Sequence, residues 1–223
     1  MSDSDALAGM MRARFSCRAF LPDAVPEATI RRIVEASRWA ASWSNVQPWE
    51  MLITRPETTR KLADRLVGLA RARVDAAPDA PFPPAFEGVH LRRRREVGFG
   101  LYNALGIARD DRAAREAHFL ENFRFFGAPH VALVTMPAGM GVYGALDAGN
   151  FLSCFMLAAH AEGVATIAQA ALAQYAGAIR EMFQIAADRA FLCGVSFGYA
   201  DMAHPANGFR AARAAADEIF RFV

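Results

Sequence analysis

Net charge is nearly absent from this 223-residue sequence, in which 25 basic side chains face 23 acidic ones and leave a formal charge of +2. A surplus that small cannot build the positive field on which nucleic-acid binding depends. Cysteine is equally scarce. Cys17, Cys154 and Cys193 are odd in number, far apart and without C-x-x-C spacing, which argues against a disulfide framework or a zinc site and suits a reducing cytoplasm. His90, His118, His130, His160 and His204 show neither H-x-x-x-H nor H-E-x-x-H spacing, and no G-x-S-x-G elbow presents a serine, so metal and acyl-transfer chemistry are both disfavoured. The first eight residues carry Asp3 and Asp5 instead of an apolar signal core, and no uninterrupted apolar run approaches a membrane span. A soluble protein without a membrane partner is expected, and no internal repeat or low-complexity segment is present.

What the sequence has in quantity is apolar side chains, at 54% hydrophobic and 11% aromatic. Its length suits one domain over 1–223 of α/β type, and the apolar excess points to a buried subunit interface. Ile30, Ile33, Val34 and Ser37 recur at helical spacing after Pro26, predicting an amphipathic helix that breaks into the small polar turn Ala41–Asn45. Trp49–Thr54 reads as a strand, and Leu62, Leu66 and Leu69 share one face of a further helix. Several prolines with Phe82 and Phe86 make Pro78–Gly88 an irregular, lid-like loop. Helices are expected around Arg92–Arg95, near Arg112–Phe119 and near Ala176–Phe183, with strands at His130–Met136, Ala165–Gln169 and Phe191–Phe197. The most apolar helix is expected to start at an Asp147 cap and end at Gly163, and its all-round hydrophobicity makes it central.

Three clusters carry chemistry. Arg14, Ser16 and Arg18 alternate, which on extended backbone projects two guanidinium groups and a hydroxyl to one side, a donor set suited to phosphate. The same residues also suit a plain solvated basic segment. Asn45-Val46-Gln47-Pro48-Trp49 concentrates two amides and an aromatic at a helix-to-strand junction, either a functional loop or a tight turn fixed by proline. The tail repeats the paired-arginine pattern with Arg210 and Arg213, which fits an anion site as well as ordinary surface charge. Gly139-Met140-Gly141-Val142-Tyr143-Gly144 matches G-x-G-x-x-G after a strand, yet Pro137 intervenes and the acid at the expected distance, Glu162, falls in the following helix. It is therefore read as a glycine-rich loop and not as a dinucleotide fingerprint. Cys17 has no histidine near it in sequence and is read as a packing residue, as are Cys154 and Cys193.

Taken in order along nearly the whole chain, these segments resemble the nitroreductase-like family of FMN-dependent oxidoreductases. Arg14-Phe15-Ser16-Cys17-Arg18-Ala19-Phe20 is similar to that family's opening R-x-S-x-R/K-x-F, and Asn45–Trp49 to its N-x-Q-P-W. Asn122–Pro129 resembles the approach to the middle strand in a nitroaromatic-reducing branch, Leu146–Gly163 the central helix, and Gly198–Asp201 with Arg210 and Arg213 the closing segment. The resemblance implies a mixed α/β fold with a mainly antiparallel sheet flanked by helices, in an intertwined homodimer with FMN at each of two shared sites. Arg14 and Ser16, with the neighbouring Phe15 and assisted by Arg213 and Arg210, would hold the flavin phosphate. Arg18 would lie at the N1 and C2-carbonyl edge, with Asn122 and Arg124 completing the polar contacts. Ser42, Trp43, Ser44 and Asn45 would come from the partner chain, and the backbone near Gln169 and Ala170 would approach N5. Trp43 is a departure, since relatives often have a small residue at that position, and Ala170 stands where relatives usually have glycine or another small residue, a change that should be tolerated.

The activity implied is ping-pong transfer of two electrons from NADPH or NADH to a small nitroaromatic or quinone acceptor, with flavin N5 carrying the hydride and no side-chain nucleophile. Arg18 would tune the flavin, while Trp43, Phe86 and Phe125 are expected to line the stacking site. Other readings are a different flavin reaction on the same scaffold, such as reductive dehalogenation, enone reduction or flavin destruction, a non-catalytic flavin-binding protein, or a dehydrogenase built on the glycine-rich loop.

Overall fold

A computed structural model describes residues 2–223. Its frame is a four-stranded, wholly antiparallel sheet in the order β1-β2-β4-β3, formed by β1 (Glu50–Ile53), β2 (His130–Pro137), β3 (Ala165–Gln169) and β4 (Arg189–Gly198). β2 shows why the sheet lies inside the molecule. Val131 and Leu133 enter one hydrophobic cluster while Ala132 and Val134 enter another, because successive side chains leave a strand on opposite faces and here both faces are covered.

The first face carries α3 (Pro56–Arg71), through Leu62 and Leu66, and α7 (Ala176–Phe183), through Ile179, around the buried rings of Phe123, Phe125 and Phe191. The second carries α2 (Glu27–Ser37), through Ile33, and α6 (Gly141–Ala161), through Ala148, Phe155 and Ala159. Two further helices, α4 (Gly88–Ala104) and α5 (Arg112–Leu120), follow the open loop that Phe82 and Phe86 occupy. The mixed α/β fold with an antiparallel sheet is thus the one expected.

Three expectations need correction, and one helix has no counterpart in the sequence reading. An initial helix, α1 (Asp3–Ala13), precedes the arginine segment; it has no buried residue to give a sequence signal, and a reciprocal cap between Ser2 and Asp5 starts it. α6 begins at Gly141, six residues before Asp147, so Asp147 stands inside the helix and does not cap it. The glycine-rich segment is consequently no loop: Ala138–Met140 forms a short 3-10 turn and Gly141–Gly144 the first turn of α6. Gly144 serves packing, since a Cβ there would lie 2.6 Å from Met140 Cβ and 2.9 Å from Met136 Sδ. Finally, Ala138–Ala161 is long and apolar enough to cross a membrane by length and composition, Asp147 being a break too small to offset its hydropathy; it packs instead against α2 and the sheet. Gly163 ends α6 as expected, with a positive φ of 73° that glycine adopts without strain.

Candidate functional site

The arginine segment is held extended beside β3. Ser16 forms a parallel bridge to Thr166, and the Cys17 amide donates to the Thr166 carbonyl at 3.0 Å. The chain alternates here: Cys17 is fully buried, its Sγ directed to the Ala19 carbonyl at 3.1 Å, and Arg14, Ser16 and Arg18 line a cleft. Burial raises the Cys17 thiol above its ordinary pKa, so it packs and is not a thiolate nucleophile at neutral pH.

The tail reaches the same place through a residue that sequence reasoning passed over. Asn207 is completely buried; its Oδ1 accepts from the Arg18 amide at 2.7 Å, and its Nδ2 donates to the carbonyls of Ala19 and Asp201, both at 2.8 Å. Every hydrogen-bonding position that matters on this amide is used, and the result is a clamp between the two ends of the chain. The only sequence signal was an asparagine just ahead of the Gly208 turn, which tertiary context alone turns into a cross-chain link.

Arg14, Phe15, Ser16, Arg18, Arg210 and Arg213 therefore border one cleft of about 830 Å³. Arg210 lies over the Phe15 ring at 3.8 Å, a cation–π contact, and its Nη1 donates to the Asn207 carbonyl at 2.6 Å. Among the described residues, none of Arg14, Arg18, Arg210 and Arg213 forms an ion pair with a carboxylate. Burial and then repulsion from Arg213 lower the pKa of Arg14, and burial lowers that of Arg18; both remain charged because guanidinium does not deprotonate in proteins. Clustered, partly desolvated and unpaired cations of this kind gain most from an arriving anion. The donor set of guanidinium forks with a serine hydroxyl fits a phosphate monoester, and the more buried Arg18 fits the electron-rich edge of a ring attached to it.

Two other predicted contacts meet across the sheet. Gln169, at the end of β3, is buried, donates through Nε2 to the Asn122 carbonyl at 2.8 Å, and accepts from the buried Ser196 hydroxyl on β4. Its side chain faces inward, so what this position can offer to a ligand is backbone, next to the exposed Ala170. Asn122 bonds its own side chain to the Phe119 carbonyl at 3.0 Å, and Arg124 pairs with Glu121 at 2.5 Å; neither borders the arginine cleft. Phe125 is a correction to the expected aromatic lining: with no exposed surface, it belongs to the core, where the pattern Phe123-x-Phe125-Phe126 fills the first face.

The turn Ser42–Asn45 also stands away from the arginine cleft of its own chain. Ser44, Asn45 and Gln47 all have positive φ, a strained run that needs external support. Part of it comes from Asp147, 4% exposed, whose Oδ1 accepts from the Trp43 amide at 3.1 Å; the Ser42 hydroxyl accepts from the Gln47 amide at 3.0 Å. Asp147 Oδ2 is buried without a hydrogen-bond partner in the chain. Trp43, 63% exposed, leans on Tyr143 with ring centroids 5.0 Å apart. Phe86, half exposed on the loop before α4, lies under Arg94 at 5.0 Å.

Known proteins share this fold. The family model for the nitroreductase family matches residues 11–199, from the end of α1 to just beyond β4, and the chain belongs to that family. It is 39% identical over 214 residues to the nitroreductase NfnB of Mycolicibacterium smegmatis, covering 96% of this chain and 91% of that protein. To a 4-nitrobenzoate reductase of Pseudomonas putida it is 32% identical over 221 residues, covering 99% and 96%. Among solved structures, the FMN-dependent nitroreductase NfnB from Mycobacterium smegmatis in complex with NADPH superposes with a TM-score of 0.94 at 38% identity, covering all of both chains.

Proposed function

We propose that this protein is an FMN-dependent NAD(P)H oxidoreductase that reduces small nitroaromatic acceptors, with quinones as a second acceptor class, and that it works as a homodimer in the cytoplasm. The observation that carries the reading is the meeting of Arg14, Ser16 and Arg18 with Arg210 and Arg213 in one cleft without carboxylate partners. Relatives named for FMN, NADPH and nitroaromatic reduction support it.

FMN bound there supplies hydride acceptance from a nicotinamide and two-electron delivery to an acceptor. Arg14, Ser16, Arg210 and Arg213 would hold its phosphate, with Phe15 buttressing Arg210. Arg18 would place fixed positive charge at the pyrimidine edge of the ring, where negative charge accumulates on reduction. The backbone at Gln169 and Ala170 would meet the ring's central edge, fixed from behind by Ser196 and Asn122, with Arg124 near that end. The strained turn of Ser42, Trp43, Ser44 and Asn45 would reach the ring from the second subunit. Donor and acceptor would use the same stacking site in turn, which gives ping-pong kinetics.

Support for the dimer comes from apolar surface. Val142, Tyr143 and Leu146 on α6 and Trp43 beside them are more than half exposed, as are Ile219, Phe220, Phe222 and Val223 in the tail. Exposed large apolar side chains in such number are unusual on a monomer and support an interface. Three cysteines without a disulfide suit the reducing compartment.

The test is spectroscopic. The purified protein should be yellow, bleach with NADPH under argon, and regain its colour with a nitroaromatic. The Arg14→Ala/Ser16→Ala variant should remain folded by circular dichroism and isolate colourless. Full flavin occupancy in that variant would remove the phosphate assignment.

A further inference from the structure

The end of α5 brings an aromatic side chain with no role so far to the corner that Gln169 and Ala170 form. Phe119 is 44% exposed, and two routes tie it to that corner. One is polar: the Phe119 carbonyl accepts from Asn122 Nδ2 at 3.0 Å, and the Asn122 carbonyl accepts from Gln169 Nε2 at 2.8 Å. The other is aromatic. The Phe119 ring stands edge-on to the fully buried Phe123, with centroids 5.5 Å apart at 81°, and Phe123 leans on Tyr175 at 5.3 Å. Tyr175 closes the 3-10 segment that Ala170 opens. We propose that Phe119 is a specificity-determining residue whose ring packs against the flat nitroaromatic acceptor at the N5 end of the flavin; the proposal rests on the reading above of an FMN-dependent nitroaromatic reductase.

An acceptor has to lie beside N5 to take up electrons, so a wall standing at this corner meets it. Phe119 is a prepared wall. Phe123 and the last turn of α5 fix its ring before any ligand arrives, so little side-chain freedom is lost on stacking. A nitro group withdraws electrons from the ring that carries it, which suits the electron-rich face of a phenylalanine. Burial, and then the Arg18 guanidinium, lowers the pKa of the preceding His118, so the end of α5 also lies near the cation assigned to the flavin's pyrimidine edge. With Phe125 in the core, Phe119 takes over the lining role that the sequence suggested for that residue. Phe99 on α4 is nearly as exposed, at 43%, but it is two residues beyond Val97, which borders the arginine cleft, and so faces away from it, under Arg109.

Holoenzyme reduced with dithionite under argon and then mixed with nitrobenzene separates acceptor binding from nicotinamide oxidation. In Phe119→Ala the apparent Kd for nitrobenzene should rise about tenfold, the order expected for losing a stacked ring and the area it buries, while the limiting rate stays within about twofold. Reoxidation by ferricyanide, which has no ring to stack, should be unchanged. Phe119→Tyr and Phe99→Ala should both match the wild type, and Phe119→Leu, which keeps apolar bulk without a ring, should fall between wild type and Phe119→Ala. Should Phe119→Ala fail to fold, the leucine and tyrosine variants carry the same comparison. A nitrobenzene Kd unmoved in Phe119→Leu, an equal loss with ferricyanide, or an equal loss in Phe99→Ala would each overturn the proposal. Flavin lost from Phe119→Ala, or a shift of that variant from dimer to monomer, would also overturn it, by assigning the ring to the cofactor or to the subunit interface. A colourless wild-type protein would overturn the wider reading, and this proposal with it.

Discussion

Several polar side chains in the interior of this protein hold remote segments together through specific hydrogen bonds. His130 is the clearest instance. Its Nε2 accepts from the Val25 amide at 3.1 Å, which leaves the ring proton on Nδ1 to donate to the Thr54 carbonyl at 2.8 Å. That arrangement requires the neutral ring, and burial, the largest influence, lowers its pKa. Above the ordinary histidine value of about 6.5, the folded and unfolded chains bind the same number of protons at this group. As the pH falls below it, the unfolded chain takes up a proton that the native state refuses, so stability declines until the depressed native pKa is reached. Urea denaturation between about pH 7 and pH 5 should show this loss, and His130→Asn should flatten the slope. An unchanged slope would shift the pH sensitivity elsewhere. Asn207 and Asp147 behave as positional devices of the same kind, one joining the chain's two ends and the other supporting the Trp43 turn. Neither role could be read from sequence, because a side-chain amide or carboxylate has no periodicity; its partner is fixed only when remote segments arrive.

Elements show the opposite behaviour. β2, β3, β4, α2 and α7 fall within a few residues of where apolar periodicity and capping place them, because burying a face of a strand or helix imposes a spacing that remains visible in the sequence. Where the signal fails, the cause is specific. α1 has no fully buried residue and so only a weak apolar stripe, and α6 runs through a glycine-rich stretch that resembles a loop because close packing against Met140 and Met136 rewards the absence of a side chain at Gly144. Close approach between elements also sets limits at Gly198, at the end of β4. A Cβ there would lie 2.6 Å from Pro129 Cδ and 3.1 Å from Cγ, atoms of a rigid ring that cannot turn aside. Gly198→Ala should therefore destabilise the fold by about 1–3 kcal/mol, the usual cost of overpacking, seen as a lower urea midpoint at unchanged m-value. An unaltered midpoint would mean that β4 and the Pro129 segment can separate cheaply. The arginine cleft should loosen as well, since Leu21 bonds to the Tyr199 carbonyl and Asp201 to Ala19 just beyond this contact.

At the scale of the whole molecule, the exposed half of α6 is the feature that one chain leaves unresolved. Leu146, 61% exposed, lies one residue before the buried Asp147, so the helix turns its apolar side outward where it also supports the Trp43 turn. A charge placed there is trivial for an isolated subunit and costly in a buried interface. If the proposed homodimer forms through this face, Leu146→Glu should shift the mass in sedimentation equilibrium from dimer to monomer, with flavin retention falling in parallel where the second subunit completes the site. A variant that remains dimeric would move the interface away from α6.

The sequence by itself determined the elements of an α/β frame and the chemistry available at each end of the chain, because burial periodicity, turn residues and guanidinium groups are local properties of neighbouring residues; that the sheet is antiparallel followed only from the ordered motifs that resemble the family. Tertiary structure alone decided that Arg14 and Arg213 meet, that Gln169 turns its side chain inward, that Phe125 fills the core, and that Phe119 is tied through Asn122 to the Gln169 corner. These are relations between segments separated by many residues, and they are set by the packing of both sheet faces and by the buried amide of Asn207, which no local pattern encodes.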